Sequence, residues 1–237
     1  MTGVKVGELT ESVLAAGAIA SVVVLSPLLH RWYRSWGATE QELQEGLPGD
    51  GQVPNPRIET TRAMTISAPA ERIWPWLVQM GQGRGGLYSY EMLENLIGSD
   101  IHNADQILPE HQQLQVGDKV RLGPEGYPFF TVVDLEPNRA LVLAGGPQPP
   151  DEDAVLWSWA FVLEEGSPAS TRLIIRNRTD YPSSPANWLI WRVFTDPIAF
   201  VMERKMLRSI KERAESVPAR SEPQVQRLSG SARGGEL

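Results

Sequence analysis

The hydrophobic and polar positions of this chain predict strands in six stretches. In the first and the fifth, 57–66 and 155–164, similar side chains recur at every second residue, which is typical of a strand with one face in the core. The clearest case is the row Trp157, Trp159, Phe161, which alternates with smaller residues. Glycine and proline turns separate the later stretches. We therefore predict an antiparallel sheet of about six strands at 57–66, 119–122, 129–136, 140–144, 155–164 and 171–181.

The period changes to that of a helix directly after the first strand. Apolar side chains at positions 73, 76, 77 and 80 form one stripe, which predicts a helix that starts near Pro69 and ends before Gly81. A second short helix is predicted at 91–97, with Ser89 as its N-cap. Two short helices therefore follow the first strand.

A long helix is predicted near the end of the chain. Asp196 and Pro197 have the residue types of an N-cap and a first helical position, and they precede an apolar stripe over 198–214. A shorter helix or a lid is expected just upstream, at 188–194. The C-terminal helix is long enough to serve as the centre of the core.

The N-terminal segment has a different character. Residues 13–29 carry no charge, and as a helix they would be about 26 Å long, against about 30 Å for the hydrocarbon core of a bilayer. Two arginines and three aromatic residues follow in 31–36, as at the cytoplasmic boundary of a membrane span. We predict a single-pass membrane anchor over 1–36, with the folded domain on the cytoplasmic side. The alternatives are a buried helix or a disordered tail of a cytoplasmic protein, and a signal peptide, which the acidic start disfavours.

The rest of the chain divides into three parts. Residues 37–57 are polar and rich in turn formers, and they are interpreted as a linker that packs in part on its neighbour. Residues 58–215 hold all the predicted strands and form one folded domain. Residues 216–237 have little to bury and are predicted to be a disordered tail.

Composition excludes several classes of function. The formal net charge of −7 over 237 residues, without clustered Lys and Arg in the folded domain, disfavours nucleic-acid binding. Cysteine is absent, which excludes thiolate catalysis, and the three histidines have no metal-ligand spacing. We predict neither a metal nor a cofactor.

A glycine motif resembles a nucleotide-binding loop by its letters. Gly81, Gly83 and Gly86 have the spacing of the dinucleotide fingerprint, but that fingerprint needs a strand before the glycines and a helix after them. Here a helix comes first. The motif is interpreted as a turn between two helices at a pocket entrance.

The order of elements, together with several short motifs, resembles a known superfamily. The stretch ISAPAERIW at 66–74, the VGD turn at 116–118, LEPNRAL at 135–141 and MLRSIK at 206–211 are similar to the START-like, or SRPBCC, superfamily. The opening stretch, with WGAT at 36–39 and LPGD at 47–50, resembles an uncharacterised bacterial branch of it. The resemblance implies an α+β helix-grip fold, in which a curved antiparallel sheet wraps the C-terminal helix. It also implies a pocket for lipids, polyketides or other apolar small molecules, and it transfers no catalytic residue.

The expected function is therefore the binding or transport of a hydrophobic small molecule. The side chains expected to contact the ligand are those of the aromatic strand, the helical stripes and the loop between them. They are Trp76, Met80, Arg84, Tyr88, Tyr90, Trp157, Trp159, Phe161, Met202 and Met206.

Two other functions stay open at this point. In a cyclase-like or dehydratase-like enzyme, His102 and Asp105 could be a general base and its orienting acid, and Tyr88 a pocket hydroxyl. Surface turns and capping groups use the same residues. If aromatic side chains fill the whole interior, the domain would instead be a structural or partner-binding module.

Overall fold

The computed structural model describes residues 6–147, 154–167 and 169–216 of the chain. Six strands form one antiparallel sheet in the order β1-β6-β5-β4-β3-β2. Each predicted strand is present, and its ends differ from the prediction by three residues or fewer. The tail predicted for the end of the chain lies outside the described residues from position 217 onward. The strands are β1 (Ile58–Ile66), β2 (Lys119–Arg121), β3 (Phe129–Glu136), β4 (Ala140–Gly145), β5 (Leu156–Ser167) and β6 (Ser170–Asp180).

Helices precede the sheet, interrupt it after β1 and follow it. A π-helix at Leu189–Thr195 joins the last two helices, and short 3-10 helices lie at Asp50–Gln52 and Pro109–His111. The α-helices are α1 (Val6–Arg34), α2 (Glu40–Gln44), α3 (Ala70–Val78), α4 (Glu91–Leu96), α5 (Pro185–Trp188) and α6 (Asp196–Ser216).

The main core lies between one face of the sheet and α6. On β5, Trp159 and Phe161 belong to this core together with Met206 and Ile210 of α6. Val162, one residue along β5, packs on the opposite face of the sheet, as the alternation predicts. A curved sheet thus surrounds a central C-terminal helix. The chain has the helix-grip fold.

Two predicted helix caps are wrong, because their side chains have other partners. Asp196 has a helical backbone conformation inside a continuous run from α5 to α6, so it caps nothing. Its carboxylate instead accepts hydrogen bonds from Arg34 Nε at 2.6 Å and from the Tyr33 hydroxyl at 3.2 Å. Similarly, α4 begins after Tyr90, and the Ser89 hydroxyl donates to the carbonyl of Met202.

The segment predicted as a linker is a packed cover on the convex face of the sheet. Leu47 joins Val162 and Ile174 in a small apolar cluster on that face. The buried Arg176 of β6 donates to two backbone carbonyls of this segment, those of Glu42 at 2.6 Å and Glu45 at 2.7 Å. We call residues 37–53 the convex cover.

Within residues 6–147, 154–167 and 169–216, no helix is long and apolar enough to cross a membrane. The structure thus does not support the span predicted at 13–29.

One side of α1 packs on α6. Near its C-terminal end, Tyr33 is fully buried against Phe200 and Val201. Near its N-terminal end, Glu11 forms an ion pair with Lys205, with Oε2 and Nζ 2.9 Å apart. The helix therefore contacts the domain at both ends.

Candidate functional site

A row of polar side chains crosses the concave face of the sheet. Thr60 of β1 is paired with Asn177 of β6, and Asn177 is paired with Trp159 of β5. Residues paired in this way lie on the same face of an antiparallel sheet. That face points at α6, because Asn177 Nδ2 donates to Glu203 Oε1 of α6 at 2.6 Å. We call Thr60, Asn177 and Trp159 the polar row.

Aromatic rings form the wall next to the polar row. The Trp159 ring lies 4.8 Å from that of Phe161 and 5.6 Å from that of Phe130, measured between centroids. Trp157, half-buried, meets Phe130 edge to face at 6.2 Å. Gly145 is paired with Trp157, and a Cβ on this glycine would lie only 2.1 Å from the indole nitrogen. A glycine is therefore needed where this indole crosses β4.

Two members of the polar row have unused hydrogen-bonding capacity. The Trp159 Nε1 and Thr60 Oγ1 atoms are buried and have no hydrogen-bond partner among the described residues. A buried donor without a partner costs about 1–3 kcal/mol, so few are found in folded proteins. Two of them in one row mark a place where an oxygen atom would be stabilised.

Buried charges close one end of the row. Arg62, one step along β1 on the same face, binds Glu203 Oε2 through Nη1 and donates from Nε to the carbonyl of Tyr33 at 2.8 Å. Its Nη2 lies 3.7 Å from Asp196 Oδ1. We call Arg62, Asp196 and Glu203 the buried ion cluster.

Tyr33 links the buried ion cluster to α1. Its hydroxyl donates to Asp196, and burial, followed by the charge of Asp196, raises the pKa of Tyr33 to about 12. This phenol keeps its proton at neutral pH. It therefore acts as a hydrogen-bond donor there.

Two of the predicted ligand residues pack together beside the aromatic wall, and a third, Arg84, binds its own loop. Trp76 and Tyr88 are buried and meet edge to face at 5.8 Å. Burial raises the pKa of Tyr88, whose hydroxyl has no hydrogen bond of normal geometry to any described residue. Arg84 does not point into the main core, because its Nη2 donates to the carbonyls of Val78 and His111. Arg84 thus stabilises the loop in which it lies.

The remaining predicted residues fall into two groups. Met80 and Met206 are buried in the main core with Trp159 and Phe161. Tyr90 and the half-buried Met202 lie toward the outer side of α6: Lys205 Nζ is 5.7 Å from the Tyr90 ring centroid, and Ser89 contacts Met202. The structure does not bring all ten predicted residues into one pocket.

His102 and Asp105 do not form the predicted acid-base pair. The His102 side chain is 73% exposed, and its ring nitrogens lie 3.1 Å from Glu91 and 3.3 Å from Asp100. The hydrogen bond with Glu91 is the main cause of its raised pKa. Asp105 is 95% exposed and binds Arg213. Both lie on the surface, so Tyr88 is the one candidate of the enzyme hypothesis that lies in the core.

The glycine motif is a turn between α3 and α4. Gly81 and Gly86 exchange backbone hydrogen bonds of 2.9 and 3.1 Å, and Gly81, Gly83 and Gly86 all have positive φ. The next helix along the chain, α4, begins only at Glu91, so the glycines do not stand at the N-terminus of a helix.

Two cavities are prominent, and neither lies on the polar row. One, of about 140 Å³, lies between α1, Tyr90 and α6 and is lined by Trp32, Phe200 and Arg204 among others. The other, of about 420 Å³, is an open groove between Met64 of β1 and Lys211 of α6. Among the described residues, no group of three His, Asp or Glu side chains is placed to hold a metal ion.

The polar row and the buried ion cluster are the features that the sequence analysis missed. Arg62 falls in the same period of two as Ile58, Met64 and Ile66 of the first strand. An arginine at such a position needs a buried acid, and Glu203 is the partner. Nothing in the sequence points from Arg62 to an acid 141 residues away.

Comparison with known proteins bears on the fold. No protein-family model matches the chain, and no curated protein matches it. The helix-grip fold, which the resemblance to the START-like superfamily implies, is the fold of the chain. The fold assignment rests on the sheet and the central helix described above.

Several solved structures are similar to this chain. Zhui, an aromatase/cyclase from Streptomyces sp. R1128, is 15% identical with a TM-score of 0.36, over 67% of this chain and 93% of that chain. Protein MLL2253 from Mesorhizobium loti is 14% identical with a TM-score of 0.41, over 68% and 100% of the chains. The hypothetical protein jhp0584 from Helicobacter pylori is 10% identical with a TM-score of 0.42, over 71% and 95%. Likenesses of this size assign neither a ligand nor a reaction.

Proposed function

We propose that the protein binds an apolar small molecule that carries at least one oxygen, between the concave face of the sheet and α6. The observation that supports this proposal is the pair of unpartnered donors, Trp159 Nε1 and Thr60 Oγ1, beside an aromatic wall. A ligand carbonyl or hydroxyl would accept a hydrogen bond from either donor, while the rings of Trp157 and Phe130 contact its apolar part.

Entry of such a ligand requires movement of side chains. Both donor atoms are shielded from solvent, and the neighbouring rings are in contact. Met64 of β1 is half-buried and packs on the edge of the main core. Methionine side chains adapt their shape at low cost, so Met64 is the expected gate.

The test uses two ligands that differ by one oxygen. We expect the purified full chain to bind fluorenone more tightly than fluorene, measured by quenching of tryptophan fluorescence, because only the ketone accepts a hydrogen bond. Replacement Trp159→Phe keeps an aromatic ring and removes the N–H. It is expected to weaken fluorenone binding by about tenfold and to leave fluorene binding nearly unchanged.

Trp188→Phe is the matched control, because Trp188 is exposed and lies in α5, outside the sheet. It should change neither affinity. Absence of binding for both compounds, together with no apolar ligand in native mass spectra of the purified protein, would contradict the proposal. Unchanged binding of fluorenone in Trp159→Phe would locate the ligand elsewhere, and equal losses for fluorene and fluorenone would show that the Trp159 N–H does not bind the ketone oxygen.

A further inference from the structure

We infer that the exposed side of α1 and residues 188–198 form a single surface that binds anionic lipid, with α1 lying in the plane of the membrane. This surface is separate from the proposed ligand site, which lies on the inner side of α6. We call it the lipid-facing surface.

The exposed apolar residues of α1 lie on one side of the helix. At 3.6 residues per turn they fall within an arc of about 120°, and they extend over about 28 Å of helix length. Monomeric soluble proteins rarely expose contiguous apolar patches larger than a few hundred Å². The exposed residues are Val13, Leu14, Val24, Leu25, Leu28 and Trp32.

The opposite side of α1 is occupied by the domain. Ser12, Ala15 and Tyr33 are buried there, and Glu11 is held by Lys205. One side of the helix is therefore covered by the domain along its length, and the other side is exposed. A helix that crosses the bilayer would have to leave α6 and lose these contacts.

A second group of exposed apolar side chains adjoins the C-terminal end of α1. The π-helix contacts α1, and Arg34 at the end of α1 binds Asp196 directly after the π-helix. The rings of Trp32 and Phe200 meet at 5.3 Å, which fixes this end of α1 against α6. The exposed residues of the second group are Trp188, Leu189, Ile190, Phe194 and Ile198.

The charges of the lipid-facing surface favour anionic headgroups. From position 12 to 36 the chain has no acidic residue, although its net charge is −7. Arg31 is exposed among the apolar residues of α1, and Arg192 lies within the second group. The two acids at its margins, Glu11 and Asp196, are each paired with a basic side chain.

This charge pattern decides between a membrane and a second copy of the chain. Arginines beside apolar residues can extend to the phosphates of a lipid surface, and tryptophan is favoured at the headgroup level. In an interface between two copies, the same basic side chains would face each other without exposed acids. The lipid surface is thus the occupant that fits.

Flotation with lipid vesicles tests the inference on the full chain. We expect the protein to float with vesicles of phosphatidylcholine mixed with phosphatidylglycerol, and to float less with phosphatidylcholine alone or at high salt. Leu28→Glu on α1 and Ile190→Glu in the second group, 82% and 51% exposed in the native chain, should each reduce binding by about tenfold. Circular dichroism should show that both variants remain folded.

Val116→Glu is the matched control, because Val116 is 64% exposed but lies next to β2, outside the lipid-facing surface. It should float like the unchanged protein. Full binding by Ile190→Glu, with resistance to alkaline carbonate, would show that α1 spans the bilayer and would overturn the inference. Loss of a dimer in Leu28→Glu, without any vesicle binding by the unchanged protein, would show that a second copy covers the surface.

These outcomes are distinct from those of the ligand test. Vesicle binding depends on the outer sides of α1 and 188–198, whereas fluorenone binding depends on Trp159. Either proposal can fail while the other holds.

Discussion

At the scale of single residues, Glu94 has an unusual environment. Its side chain on α4 is only 7% exposed, and its Oε2 has no hydrogen-bond partner among the described residues. Burial, assisted by the charge of Glu91, raises the pKa of Glu94 to about 7. The carboxyl group is therefore neutral in mildly acidic solution and charged in alkaline solution.

This raised pKa predicts that the free energy of unfolding falls as the pH rises. Between the usual value of 4.5 and about 7, the folded protein holds a proton that the unfolded chain has released. The loss is about 1.4 kcal/mol per pH unit and about 3 kcal/mol in total, complete above pH 7. Glu94→Gln should remove this loss and be the more stable protein at pH 8.

Urea unfolding at several pH values measures this effect. Glu110→Gln, which removes an exposed carboxylate, is the control and should follow the unchanged protein. An identical pH dependence in Glu94→Gln would contradict the assignment.

The buried ion cluster leads to a second prediction at the residue scale. Arg62→Met leaves the Glu203 carboxylate buried with Asn177 as its remaining partner, which should lower the free energy of unfolding by about 3–5 kcal/mol. The double variant Arg62→Met/Glu203→Leu removes both charges and should be less destabilised than Arg62→Met alone. Chemical denaturation of the two single variants and the double variant measures the coupling. Additive losses would show that the two charges act independently.

At the scale of elements, the convex cover depends on a single close approach. Gly37 has a φ of +76°, and a Cβ added there would lie 2.2 Å from the carbonyl oxygen of Ala63 on β1. Next to it, Ala63 donates its N–H to the carbonyl of Trp36 at 3.2 Å. The glycine thus allows the chain leaving α1 to lie directly on the sheet.

Gly37→Ala is therefore expected to destabilise the protein by more than about 2 kcal/mol, from left-handed strain and from the clash with backbone. Gly46→Ala is the control within the same cover, because a Cβ there would meet nothing within 4 Å. Thermal unfolding of both variants gives the comparison. Similar melting temperatures for the two would mean that the cover detaches easily from β1.

The elements show which parts of the fold a sequence can predict. The strands were predictable because burial of one face imposes the period of two, as for Trp159 and Phe161 in β5. The convex cover was interpreted as a linker because its composition is polar. Its anchor is Arg176, which is 131 residues from the Glu45 carbonyl that it binds.

The candidate site was predictable only in part, because some of its contacts join residues that are far apart in the sequence. The aromatic wall follows from local alternation, and Trp159 and Phe161 do line the concave face. His102 and Asp105, which the sequence left open as an acid-base pair or as surface groups, lie in a surface segment with other partners. The polar row depends on strand order, which brings Thr60 beside Asn177.

At the scale of the whole molecule, α6 separates two environments. Its inner side faces the sheet and the polar row, and its outer side supports α1. The buried ion cluster joins both sides, because Arg62 of β1 binds Glu203 while Asp196 binds Arg34 of α1. A change in the position of α1 is thus transmitted to the sheet through charged groups that are costly to leave unpaired.

The π-helix at Leu189–Thr195 has a consequence for how this architecture can vary. Its turns bond to the fifth residue back, so it holds about one residue more than an α-helix of the same extent. Deleting one residue there would therefore let α5 and α6 merge into one regular α-helix with little change in the direction of Trp188. The converse change, straightening this segment into an α-helix without a deletion, would turn Trp188 by about 100° relative to Asp196. The wide turn thus sets the direction in which the apolar side chains before Asp196 point.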